Sequence, residues 1–230
     1  MTVNYGTSIS LNGLSMLIDA ANSRSYPGSG TIWSDLSQNK LQGTLTNGPS
    51  YSTTFGSSIS LTAASSQYVT FGGNYLGLDA QDKSMTAWIY PLSYPTNPVG
   101  LVDKDNSASG WGFWISNTGS LWYWPSSGQD IKDSGSLVAP INTWTFVTIT
   151  SSFSTKTCNF YYNAKLSSTV TNAGATEIAS NNTVPLVIGN LRSSTYYFNG
   201  YISTVTLYNR VITQAEVSQN FNAGRGRYGL

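Results

Sequence analysis

The stretch from Phe198 to Phe221, FNGYISTVTLYNRVITQAEVSQNF, constrains this chain most. Val205 and Leu207 share one face, while Thr204, Thr206 and Tyr208 point the other way, as in a strand with one side in a core. Ile202 is out of phase with Val205, which predicts a bulge near Ser203–Thr204. Asn209–Arg210 breaks the run. Thr213 and Glu216 then have the spacing of a capping box, in which the Thr hydroxyl accepts the Glu216 amide and the Glu carboxylate accepts the Thr213 amide. Ala215, Val217, Gln219 and Phe221 carry the helix to a stop at Asn222–Ala223–Gly224. With a single short helix as its last element, the chain must build its core from strands.

The preceding residues supply them. Leu14, Met16 and Ile18 alternate with Ser15, Leu17 and Asp19, and short strands follow around Thr31–Trp33, Leu41–Thr46, Ser58–Leu61 and Tyr68–Phe71. Met85, Ala87 and Ile89 face one way and Thr86, Trp88 and Tyr90 the other, so both faces are apolar enough for a central position. Trp111–Ser116 and Gly119–Trp124 read as a hairpin pair. Trp144–Ile149 alternates again, and Thr157–Tyr162 and Lys165–Val170 flank a turn at Asn163–Ala164. A two-residue hairpin turn wants positive φ at both positions, so Ala164 predicts a longer loop or a strained turn. Strands recurring at roughly ten-residue spacing predict an all-β sandwich.

At 230 residues one domain is expected: an arm or edge strand over 1–13, the domain over 14–224 and a tail over 225–230. Charged residues make up 9% of the chain and the net charge is +1, which gives nucleic acid or an anionic membrane nothing to hold. The chain has no histidine, so Ser-His-Asp and Cys-His catalysis and imidazole-built zinc sites are excluded. Its one cysteine, Cys158, alternates with Phe160 and Tyr162 and reads as a buried thiol. The opening MTVNYGTSIS lacks the basic and apolar regions of a secretory signal.

The closing pattern F-x-G-x-I-x-x-V-x-x-Y-N-R-x-x-T-x-x-E resembles the last strand and helix of laminin-G-like, concanavalin A-like jelly-roll domains, in the version found in tailed-phage virion proteins. Other pieces agree in order and spacing: Leu17–Ser37, Gly43–Tyr51, Met85–Pro91, Asn142–Thr150, Phe160–Leu166 and Pro185–Asn190. The resemblance implies a two-sheet antiparallel jelly roll with one C-terminal helix. The chain departs from many relatives at Ser203–Thr204, where they carry an acidic pair, and at Gln38–Asn39–Lys40, where they carry a glycine-rich loop.

Three chemistries are weighed on this fold. Glycoside hydrolysis needs two carboxylates flanking the bond, and related glucanases carry them on one strand. This chain has only Glu177, in a Gly/Ala/Thr loop, and Glu216, in the capping box, and no E-x-D-x-x-E arrangement, so no enzyme is expected and there is no catalytic candidate. A calcium site is the metal candidate: Asp103, Asp105 and Asn106 sit together, and laminin-G-like domains carry calcium on the rim. The alternative is a solvated turn, and Lys104 weakens the site. Asp130 and Asp133 are weaker still. Trp111, Trp114, Trp122, Tyr123 and Trp124 are the candidate glycan platform, because a sugar's apolar face stacks on an aromatic ring. Their size favours the alternative of core or subunit contact. Arg225 and Arg227 read as a flexible tail docking on a neighbour, or as anion contacts.

The resulting expectation is a non-enzymatic virion surface protein of a tailed phage, most simply a capsid decoration or accessory structural protein with glycan binding. It would be made in the host cytoplasm and released by lysis. No cofactor is required, with calcium as the one candidate. The partners expected are other virion proteins of capsid or tail, a host surface glycan and a second copy of the chain, with neither nucleic acid nor membrane. The alternative is a carbohydrate-binding receptor or adhesion module, for example of a tail fibre; a fibre, however, normally has a shaft or trimerising coil, and this chain shows none.

Overall fold

The computed structural model describes residues 8–72, 76, 78–106, 108–125, 129–179, 184–191 and 195–230. Residues 1–7 of the expected arm lie outside this set. In chain order the strands are β1 (Leu14–Asp19), β2 (Ile32–Ser34), β3 (Gln42–Thr46), β4 (Ser50–Ser52), β5 (Ser58–Leu61), β6 (Tyr68–Thr70), β7 (Lys83–Ser93) and β8 (Val99–Asp105). They continue with β9 (Gly110–Ile115), β10 (Leu121–Trp124), β11 (Ile131–Lys132), β12 (Thr145–Ser152), β13 (Thr157–Tyr162), β14 (Lys165–Thr171), β15 (Val187–Ile188) and β16 (Asn199–Tyr208). The helix α1 (Gln214–Gly224) follows β16.

Two antiparallel sheets result. The first runs β14-β13-β12-β7-β16-β5-β4, with β1 on the free stretch of β16, and the second runs β11-β10-β9-β8-β15-β6-β3-β2. β7 is central, as its two apolar faces demand, between β12 and β16. Met85, Ala87 and Ile89 enter the core between the sheets with Val147, Ile149, Val205 and Leu207, and meet Trp33, Val69, Val102 and Phe113 of the second sheet. Cys158 is fully buried there, and burial pushes its thiol up to about 12. The bulge expected in β16 lies between Ile202 and Thr204, and the Ser203 hydroxyl turns out of the ladder to donate to the Ser57 carbonyl at 2.9 Å. Asp35, in the D-L-S run, is buried and accepts the backbone amides of Leu17 and Ser37 at 2.8 Å, pinning this loop against β1.

Trp88 on the outer face of β7 seeds a second cluster with Phe146, Tyr161, Tyr208, Ile212 and Val217, and this cluster seats α1. The capping box is present: Thr213 accepts the Glu216 amide, and Glu216 Oε2 accepts the Thr213 amide at 2.9 Å. Such a cap contributes about 1 kcal/mol. The helix ends at Gly224, within the expected stop, but the chain does not turn away there. Arg225 stays in right-handed helical conformation and the chain tightens into a 3-10 turn over Arg225–Tyr228, with the left-handed stop delayed to Gly229 at φ 75°. These residues are therefore no flexible tail. Tyr228 stacks on Trp88 with centroids 4.1 Å apart, and Arg227 grips both oxygens of Asp19 at 2.7 and 3.0 Å. The carboxylate that Arg227 was free to seek belongs to its own domain.

The turn after β13 is short and strained. Asn163 and Ala164 have φ of 49° and 61°, so the second position takes a left-handed conformation without glycine. The Ala164 carbonyl accepts the Gln214 side-chain amide at 2.8 Å, which ties this turn to the first residue of α1.

Candidate functional site

The β9–β10 hairpin sorts its aromatics by parity. Trp111, Phe113, Ile115, Leu121 and Tyr123 point between the sheets, while Gly112, Trp114, Trp122 and Trp124 line the outer face. Trp111 is 0% exposed and Tyr123 4%, so neither can stack on a ligand, and both leave the candidate platform for the core. What remains is three tryptophans. Trp122 pairs with Trp114 across the ladder and Trp124 with Gly112. Trp124 lies over Trp114 with centroids 5.4 Å apart and 15° between the planes, an offset-stacked geometry. Trp114 is 8% exposed and forms the base; Trp122 and Trp124 are half-buried and form the accessible part.

The base is held rigidly. Trp114 Nε1 donates to Asp103 Oδ1 at 2.8 Å. Gly112 makes room for this bond, since a Cβ there would sit 2.0 Å from Trp114 Nε1 and 2.5 Å from Asp103 Oδ1. At the sheet edge Lys132 Nζ lies 4.0 Å from the centre of the Trp122 ring and 3.5 Å from Asp130 Oδ2. Partial burial raises the Asp130 carboxyl above its ordinary value, and the Lys132 charge offsets part of that. The outer face thus presents indole rings flanked by a cation and a carboxylate.

The calcium candidates are placed differently from a rim loop. Asp103 and Asp105 sit inside β8 and are buried, and Asp103 is occupied by the Trp114 indole. Asn106 turns its Oδ1 back into its own loop, accepting the amides of Ala108 and Ser109 at 3.1 and 2.8 Å and the Ser109 hydroxyl at 3.1 Å. Among the described residues no group of three or more His, Cys, Asp or Glu side chains converges as a metal site. Asp103 and Asn106 thus each have an oxygen engaged within the protein, whereas calcium takes six or more oxygens.

The remaining charges are structural in geometry. Glu216 pairs with Arg210, which with the cap holds its carboxyl far below the usual carboxylate range. Glu177, a loop residue in the sequence reading, reaches into the sandwich to Lys83, where the side chains are each 1% exposed and 2.5 Å apart. Lys104 and Asp79 form a second buried pair at 3.5 Å, and Asp79 also accepts the Trp111 indole at 3.0 Å. Lys83 was legible: it is in phase with Met85, Ala87 and Ile89, and extending that alternation backwards puts it inside. Nothing local marks Glu177. A concavity of about 170 Å³ lies between the first sheet and the C-terminal segment, lined by Asp19, Thr86, Trp88, Thr206, Arg227 and Tyr228.

No curated protein matches the chain. Among solved structures it is similar to the botulinum neurotoxin serotype D binding domain, with TM-score 0.68 and 16% identity over 91% of this chain and 51% of that one. It is similar to a botulinum neurotoxin type C structure concerned with ganglioside-dependent cell entry, with TM-score 0.68 and 15% identity over 92% and 51% of the two chains. It is also similar to Trypanosoma rangeli sialidase in complex with the inhibitor DANA, with TM-score 0.68 and 10% identity over 94% and 34%. The chain spans about half the length of the toxin domains and a third of the sialidase. At these identities the likeness is one of fold. The family described as the concanavalin A-like lectin/glucanases superfamily matches residues 63–218, most of the sandwich from before β6 into α1. With that match and the two-sheet jelly roll, the chain belongs to the concanavalin A-like lectin/glucanase superfamily.

Proposed function

We propose that this chain is a non-enzymatic, lectin-like module that binds a glycan on the outer face of its second sheet, through Trp122 and Trp124. The observation that carries the reading is the ordered stack of Trp124 on Trp114, fixed from below by Asp103, with Trp122 beside it. Rigid aromatic surface costs little conformational entropy on binding, and pyranose rings present an apolar face to it. Lys132 and Asp130 at the edge supply polar partners for hydroxyl groups. The family's lectins support the reading, as does the type C neurotoxin structure, whose cell entry depends on interaction with two ganglioside molecules. The non-enzymatic part rests on the engagement of both glutamates in buried or capping contacts, which leaves them no role as an acid pair astride a sugar bond.

The setting we propose is the surface of a tailed-phage virion, as a capsid decoration or accessory structural protein; a tail-fibre adhesion module is the alternative. The resemblance of the β16–α1 motif supports this setting. A glycan-array screen of the purified protein, with and without calcium, tests the function. Saturable, calcium-independent binding lost in Trp122→Ala and Trp124→Ala is expected. Binding abolished by chelator would move the site elsewhere and restore a metal. A blank array would leave a purely structural subunit.

A further inference from the structure

The buried pair between Lys83 and Glu177 is more than a salt bridge in its geometry. Lys83 opens β7 with its ammonium group between the sheets, 5.4 Å from the centre of the Trp111 ring and 5.7 Å from that of Tyr123. Glu177 comes from the loop after β14, 94 residues away in the chain, and puts Oε2 2.5 Å from Lys83 Nζ. The Tyr123 hydroxyl donates to the same Oε2 at 2.5 Å and lies 3.3 Å from Nζ. The other oxygen, Oε1, accepts the Ala80 backbone amide at 2.6 Å. A nucleophile, an acyl carbon and a hydrogen-bond donor to each carboxyl oxygen are therefore preassembled, and both charged side chains are 1% exposed.

We propose that Lys83 and Glu177 are joined by an intramolecular isopeptide bond, formed in the folded chain by condensation of the amine with the carboxyl group. Two charges are costly to hold in a water-excluded aromatic enclosure, and the step begins with transfer of one proton from Nζ to Oε2 across their 2.5 Å hydrogen bond, which leaves an amine with a free lone pair and a hydroxyl leaving group. Burial acts in that direction, pushing the Lys83 amine below its ordinary value against the pull of Glu177, Asp79 and Cys158. The same burial pushes Tyr123 well above its ordinary value, so its hydroxyl keeps its proton and remains a donor. Nζ then attacks Cδ of Glu177. The developing negative charge on Oε1 is met by the Ala80 amide. The second amine proton passes to Oε2, the Cδ–Oε2 bond breaks, and one water leaves. The products are one amide and one water, and neither oxidant nor cofactor is consumed. Fixed proximity replaces an activating group, the situation in which intramolecular reactions gain most.

The decisive experiment is the intact mass of the full chain under denaturing conditions, after incubation of the folded protein. The proposal expects a mass lower than the sequence mass by one water, and a tryptic fragment in which the Lys83 and Glu177 peptides are covalently joined. Lys83→Arg keeps a cation but cannot condense, and is expected at its full sequence mass. Glu177→Gln is expected to lose one ammonia instead of one water. Wild-type protein at its full sequence mass, with the two peptides separate, overturns the proposal and leaves an ion pair. That readout needs no variant to fold.

Discussion

Gly112→Ala is the perturbation that most directly loads the architecture beneath the tryptophan platform. The added methyl carbon would fall 2.0 Å from Trp114 Nε1 and 2.5 Å from Asp103 Oδ1, both inside van der Waals contact. Asp103 is fixed within β8 and fully buried, so the indole is the group that must yield. Swinging it away breaks the 2.8 Å bond to the carboxylate, and a hydrogen bond to a charged group contributes about 1.5–3 kcal/mol. It also unstacks Trp124, where an aromatic pair contributes about 0.5–1.5 kcal/mol beyond its buried area. A loss of about 2–4.5 kcal/mol in unfolding free energy is expected from these two contributions together. Urea unfolding followed by tryptophan fluorescence measures it. The same substitution made in a Trp114→Phe background meets no indole nitrogen, so it is expected to cost less by about 0.5–3 kcal/mol, the range for directly contacting residues. Equal costs in the two backgrounds would refute the reasoning, because the clash with Trp114 would then not be the cause.

Other parts of the fold make separate predictions. Ala164→Gly is expected to raise stability by about 0.5–1 kcal/mol in denaturant unfolding, because it relieves the left-handed φ of 61° in the two-residue turn. Trp88→Ala is expected to cost about 3–5 kcal/mol by the same method, since it empties the hub against which Tyr228, Phe221 and Phe146 pack. For pH, Glu216 has its carboxyl depressed from an ordinary 4.5, first by its hydrogen bonds with Arg210. Its stabilisation is thus full above that value, shrinks as pH falls below it, and is gone once the folded-state carboxyl protonates. Glu216→Gln is therefore expected to be less stable than wild type near neutrality, with the gap closing in acid; a gap that widens in acid would contradict the assignment.

The fold was readable because its signals are periodic and local. Val205 and Leu207 against Thr206 and Tyr208, the misfit of Ile202, and Thr213 with Glu216 each report a physical requirement that acts over a few residues. The same holds for Ala164, whose substitution in a tight turn forces strain wherever the turn lies. The site was readable only in part. Alternation told that Trp122 and Trp124 share a face opposite Tyr123, but not which face was the core; that depends on which sheet packs against them. Asp103 and Asp105 looked like loop ligands because Asp and Asn favour turns, yet β8 extends through them and the Trp114 indole claims one of them. Glu177 was opaque because its partners Lys83, Tyr123 and Ala80 lie 94, 54 and 97 residues away. Likewise, Arg225–Tyr228 looked like a free end because only the tertiary fold brings Asp19 and Trp88 beneath it.

The central claim is that the outer tryptophans hold a glycan, and its most direct measurement is a titration of wild type, Trp122→Ala and Trp124→Ala with the best-bound glycan of the array. Retained fold is checked by circular dichroism in each sample. Both rings are half-buried at the surface, so the variants are expected to fold and to lose about tenfold or more in affinity, the loss typical when a dominant aromatic contact is truncated. Folded variants that bind as tightly as wild type would contradict the account and place the glycan, if one binds, away from the second sheet.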